Sequence, residues 1–139
     1  MPTNEFKYYE MNWEEKGRLL NELKRTLENI ESILFAYVYG SFIKRDFFRD
    51  IDVAVWIDKP EEAFRHEVDL SSNLEADFKI PVDVHVINEA PLPFKHAVFI
   101  WGRLLFSRDN EARIRIVDET IRQYADLRML RSLCEDGKR

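Results

Sequence analysis

The chain has 139 residues, 45% apolar and 34% charged, which suits one domain with a real core and leaves too little for two. A formal net charge of −5 argues against nucleic acid as a partner, and no run reaches the roughly eighteen apolar residues that a membrane span needs. The lone Cys134 excludes an internal disulfide and, with a polar opening segment unlike a signal peptide, makes a reducing, cytoplasmic location the expectation.

In chain order, residues 1–11 read as a loosely held arm of a single domain over 1–139. Asn12 and Glu15 have the spacing of a capping box, and Leu20, Leu23, Leu27 and Ile30 recur at helical intervals, so a first helix is expected over 13–31. Two apolar runs follow, 33–39 and 51–57, each reading as a buried strand. The loop between them is too short for a crossover helix, so the two strands should pair antiparallel. Pro60-Glu61-Glu62, then Phe64, Val68, Ser71, Leu74 and Phe78, predict a helix from 58 to 78. Pro81 opens a β-branched run, 82–87, expected as a third strand parallel to the second because a helix joins them. Pro91 and Pro93 introduce a short helix that Gly102 ends, and 103–107 reads as a fourth, edge strand. Ile114, Val117, Ile121, Tyr124, Leu127 and Leu130 mark a long amphipathic helix over 110–134. The sum is an α/β (α+β) fold, a small mixed sheet of about four strands with helices packed on it.

The candidate chemistry gathers at the loop between the first two strands. Asp50 and Asp52 sit at i and i+2, so their side chains share a face with Cα atoms about 6.5–7 Å apart, a separation suited to Mg²⁺. Taken alone, an Asp-x-Asp is more often a turn cap beside a solvent-facing acid. Gly40-Ser41 ends the preceding strand and offers backbone N–H groups and a hydroxyl to phosphate oxygens, or is simply a turn glycine. Lys44, Arg45 and Arg49 bring positive charge for a polyphosphate, or else neutralise Asp46 and Asp50. Asp83 stands in an apolar run, where burying an unpaired carboxylate is costly. A metal, a catalytic role, or a partner in Lys79 or Lys95 would account for it. His85 shares the face of Asp83, and a histidine satisfied by a neighbour is its plainer reading. Phe42, Phe47, Phe48 and Trp56 either stack on a base or belong to the core.

Together, Gly40-Ser41, Asp50-Ile51-Asp52 and Asp83 within Val82-Asp83-Val84 resemble the signature of the minimal nucleotidyltransferases in the DNA polymerase β-type superfamily. The likeness runs over residues 14–134 and takes in Gly102-Arg103-Leu104-Leu105-Phe106-Ser107. The resemblance implies a nucleotidyltransferase fold, ATP as donor, and Mg²⁺ as one or two ions. It implies triphosphate binding by Gly40, Ser41, Lys44 and Arg45, and metal binding and catalysis by Asp50, Asp52 and Asp83. Asp83 would also help deprotonate the acceptor hydroxyl. Such minimal proteins are typically paired with a small helical HEPN-type toxin, and some transfer AMP to a tyrosine of it, so the resemblance implies an antitoxin role. Arg113, Arg115, Arg122, Arg128 and Arg131 on the last helix then offer a docking surface, or else a solvated face. Two departures stand out: Ile43-Lys44-Arg45 replaces an Ala-Arg-Gly-like stretch, and the loop before the Asp pair is short. They motivate an alternative, a non-catalytic module of the same fold that neutralises or scaffolds a partner by binding. Acceptor, base preference and homo-oligomerisation stay open.

Overall fold

In the computed structural model, which describes residues 7–136, the Asn12 capping box closes as its spacing predicts. The Glu15 amide donates to Asn12 Oδ1 at 2.8 Å, and the Asn12 amide to Glu15 Oε1 at 3.3 Å. Ahead of this cap lies β1 (Tyr9–Glu10), and after it α1 (Trp13–Glu28). The helix stops short of 31 because the Ile30 amide turns back to the Leu27 carbonyl, and that of Ile33 to Ile30, each at 3.1 Å. There follow β2 (Ile33–Tyr39), α2 (Ser41–Lys44), β3 (Phe47–Phe48) and β4 (Ile51–Ile57). A 3-10 turn, Pro60–Glu62, leads into α3 (Ala63–Phe78), which ends on Lys79 in the left-handed region at φ 59°. The rest is β5 (Val82–Val86), α4 (Leu92–Trp101), β6 (Arg103–Ser107) and α5 (Asn110–Asp136).

The main sheet has the order β5-β4-β2-β6. β2 and β4 pair antiparallel and β4 and β5 parallel, as expected; β6 is an edge strand, as expected, and lies antiparallel on the outer side of β2. A second, two-stranded ribbon was not foreseen: β1 pairs antiparallel with β3, Tyr9 opposite Phe48 and Glu10 opposite Phe47. The expected loose arm is therefore corrected over Tyr9–Glu10, where stacking of Tyr9 on Phe48 at 5.9 Å ties the segment to the domain. Its residues 1–6 lie outside the described residues.

Period-two alternation divides the sheet's two faces. Ala36, Val38, Val53, Val55, Val82 and Val84 point to one side, where Leu19, Leu20, Leu23 and Leu27 of α1 and Leu70 and Leu74 of α3 cover them. Phe35, Tyr37 and Ala54 point to the other, against Val98 and Phe99 of α4, with Ile116 and Val117 of α5 packed alongside. Two predicted helix faces are rotated in part. Leu74 is buried and Phe78 packs on the core as expected, but Phe64 and Val68 are exposed and Leu70 is buried in addition. On α5, Ile114, Ile121 and Leu130 are exposed while Thr120 is buried. Apolar spacing marks a helix, but which stripe faces inward depends on where its neighbours stand.

β5 is an edge strand, and α3 shields it with side chains one turn apart. Glu75 Oε1, Ser71 Oγ and Glu67 Oε1 accept from the amides of Val82, Val84 and Val86 at 3.2, 3.0 and 2.9 Å. The free donors of the edge are thus satisfied within the fold.

Candidate active site

Strand pairing places Tyr39 opposite Asp52 and Asp52 opposite Asp83, so these three residues form one row across β2, β4 and β5. By strand parity the row lies on the sheet face that carries α4, and Asp50 stands just before β4 at its end. Gly40 follows Tyr39 with φ 84°, a conformation side-chain-bearing residues rarely adopt. Its backbone crosses directly over the Asp52 carboxylate: a Cβ placed there would stand 2.5 Å from Asp52 Oδ2. Position 40 therefore needs glycine twice, for its dihedral and for the space.

Burial pushes the Asp52 carboxyl up from 3.8 to about 6, and the charges of Asp50 and Asp83 push the same way, with His85 opposing. Burial, then Asp52, Asp83, Asp50 and Glu67, also raises the Tyr39 phenol. The row is thus a concentration of negative charge that gains by acquiring a cation. The oxygen-only donor set of Asp50 and Asp52 fits a hard divalent ion. Among the described residues, however, no three His, Cys, Asp or Glu side chains stand close enough to enclose a metal.

Asp83 differs most from its sequence reading. Its side chain is 55% exposed, and it pairs with neither Lys79 nor Lys95 but with His85, Nε2 to Oδ2 at 3.0 Å. Val82 and Val84 take the core side of β5, so Asp83 and His85 necessarily take the other, where Phe94 of α4 reaches His85 and Asp83 stays exposed. The run is apolar only on alternate residues, and the carboxylate is not stranded in it.

The triphosphate candidates sit on the segment after Gly40. Ser41 opens α2, Lys44 closes it, and Arg45 follows in extended conformation, Lys44 and Arg45 both exposed. Tyr39, Gly40 and Lys44 also line a pocket whose far wall is Phe94, Ala97, Val98 and Trp101 of α4. Phe94 meets the Tyr39 ring edge-on at 5.6 Å and that of His85 at 6.0 Å. Sequence reasoning gave Tyr39 and Phe94 no part in the site, although Tyr39 directly precedes Gly40 and shares the parity of the acids through its pairing. Of the aromatic residues considered for base stacking, Phe42 and Phe48 are buried edge-on at 4.8 Å, and Trp56 stacks on Phe35 at 5.8 Å. Those three are core; Phe47 is exposed on β3.

A family model for polymerase beta nucleotidyltransferases matches residues 21–111, which hold Gly40, Ser41, Asp50, Asp52 and Asp83. The chain belongs to this nucleotidyltransferase family. No curated protein matches it. Among solved structures, a chain of a tri-AMPylated Shewanella oneidensis HEPN toxin in complex with MNT antitoxin superposes with TM-score 0.69 at 20% identity, covering 88% of this chain and 97% of that one. A toxin–antitoxin MntA-HepT structure matches with TM-score 0.69 and 20% identity over 87% of this chain and 97% of the other. A toxin–antitoxin structure with AMP-PNP gives 0.64 and 22%, over 91% and 98%. The likeness shows the nucleotidyltransferase fold. For a nucleotidyltransferase the family implies a nucleotide donor and a divalent metal.

Proposed function

We propose that this chain is a Mg²⁺-dependent nucleotidyltransferase that moves AMP from ATP to a hydroxyl of a HEPN-type protein partner, acting as its antitoxin in the cytoplasm. The observation that carries the reading is the Tyr39–Asp52–Asp83 row with the Gly40 backbone laid across Asp52. The partner reading draws on the toxin–antitoxin complexes whose chains share this fold. We take 1–139 as one such domain.

In this reading Asp50 and Asp52 would hold the cation, which would neutralise the triphosphate and acidify the attacking hydroxyl. The Gly40 backbone, Ser41 Oγ, Lys44 and Arg45 take phosphate oxygens, and the pocket between Tyr39 and α4 takes the nucleoside. Asp83 accepts the acceptor's proton, steadied by its bond to His85. The acceptor oxygen bonds to the α-phosphorus, the bond to the β-phosphate oxygen breaks, and pyrophosphate leaves. On α5 the docking set shrinks: Arg113 turns inward to donate to the Tyr37 hydroxyl at 3.3 Å, and Arg122 pairs with Asp118 at 3.1 Å. Arg115, Arg128 and Arg131 stay exposed.

The test is label transfer from α-labelled ATP to the protein encoded beside this chain. Asp52→Asn should cut transfer about 10²–10³-fold, the scale of losing one preorganised stabiliser of transition-state charge. No transfer by the unaltered protein with Mg²⁺ and that partner would sink the proposal. The departure at Ile43-Lys44-Arg45 favours one second reading, a module that neutralises its partner by binding alone. Neutralisation retained by an Asp50→Asn, Asp52→Asn double variant selects it.

A further inference from the structure

Lys16 is a buried lysine with no carboxylate bound to it among the described residues. Its residue is only 3% exposed. The ammonium donates to the Phe42 carbonyl at 2.6 Å and to the Arg45 carbonyl at 2.6 Å. It also lies over the rings of Trp13, Phe42 and Phe48, at 5.2, 5.2 and 5.5 Å from their centroids. Burial lowers its pKa and Asp46 opposes the shift, yet the carbonyls and ring faces all favour the cation.

These contacts fall on the stretch that carries Ser41, Lys44 and Arg45. Only a short turn of helix holds that stretch to itself, through the Arg45 amide on the Ser41 carbonyl at 2.9 Å and the Ile43 amide on Gly40 at 3.3 Å. One ammonium from α1 ties its middle to its end, with Phe42 anchored in the core beneath.

Resting on the nucleotidyltransferase reading above, we propose that Lys16 is a positioning residue. Its two carbonyl bonds hold Ser41–Arg45 in the conformation that presents Ser41 and Lys44 to the donor's β- and γ-phosphates. The role is distinct from binding: the ammonium is turned into the fold, and both of its hydrogen bonds go to backbone carbonyls. It accounts for how a segment without a second glycine keeps a defined shape.

The experiment measures affinity of the full chain for AMP-PNP and for AMP, both with Mg²⁺, alongside thermal melting. Lys16→Met keeps the apolar stem and drops the donors. It should weaken AMP-PNP about tenfold, the scale of a lost charge-assisted hydrogen bond, while AMP, which lacks the β- and γ-phosphates, shifts far less. Lys16→Arg, which can still span both carbonyls, should recover most of the AMP-PNP affinity. Equal losses for the two ligands, or none, would overturn the assignment. If Lys16→Met does not fold, Lys16→Gln, with one neutral donor, carries the same comparison. Failure of the unaltered protein to bind either ligand overturns the nucleotidyltransferase reading itself. Normal binding by the unaltered protein and equal binding by the variant overturns only the role of Lys16.

Discussion

Gly40 is the residue on which the site's geometry turns. Its positive φ and its contact with Asp52 Oδ2 leave no room for even a methyl group. Gly40→Ala should cost about 1–3 kcal/mol from the backbone conformation alone, and displace the Asp52 carboxylate besides. Thermal melting and nucleotide titration together check this: a variant with unchanged stability and affinity would contradict the close approach. The other histidines act in packing and local bonds. His96 stacks on Tyr124 at 3.8 Å, and His66 meets Ser32 Oγ at 3.3 Å and Glu62 at 3.6 Å. Gly40-Ser41 and the Asp pair were legible because their chemistry is local to a few neighbouring residues. The Asp83–His85 bond was hinted at by parity, whereas the exposure of Asp83 depended on which helices reach the β5 edge.

At the scale of elements, α3 both fills the core and closes the sheet edge. Ser71→Ala removes the acceptor for the Val84 amide in a buried stretch of β5, and an unsatisfied amide there costs about 1–3 kcal/mol. Hydrogen exchange at Val84 should speed up selectively, and a uniform change across the sheet would refute a role confined to that edge. Similar cross-element ties occur elsewhere. Arg108 donates to the carbonyls of Glu28, Ile30 and Ile33 at 2.7, 3.2 and 3.1 Å, fastening the turn from α1 into β2. Such bonds join residues far apart in sequence, so no periodicity announces them. The four strands of the main sheet, the directions of β2, β4 and β5, and the longer helices did follow from the pattern of apolar residues and prolines, while the β1–β3 ribbon, α2 and parts of the inward stripes of α3 and α5 did not.

For the whole molecule, the acids at the sheet's end couple stability to pH and to cations. Asp52 titrates near 6 when folded against 3.8 ordinarily, so between those values the folded chain holds a proton that the unfolded chain has released. Stability from this group is present below 3.8 and is lost as pH rises through about 6. A divalent ion that binds only the folded, ionised site reverses the loss. In EDTA, melting temperatures relative to Asp52→Asn should fall from pH 5 to pH 7, and Mg²⁺ should raise melting at pH 7 more than at pH 5. A Mg²⁺ effect identical in Asp52→Asn would show that the stabilisation comes from elsewhere. Among the described residues, no helix is long and apolar enough to cross a membrane, in keeping with the composition.

Composition and spacing by themselves determined a small mixed sheet with flanking helices, the Gly-Ser bend, and the acids aligned near it. Those properties rest on interactions between near neighbours and on the two periods of helix and strand. Only the tertiary structure decided that Tyr39 completes the row, that Asp83 faces solvent beside His85, that Tyr9–Glu10 is pinned by β3, and that Lys16 clasps the carbonyls of a segment far along the chain. Each of these is settled by which surfaces meet once the layers pack, and burial is a property of the assembled fold.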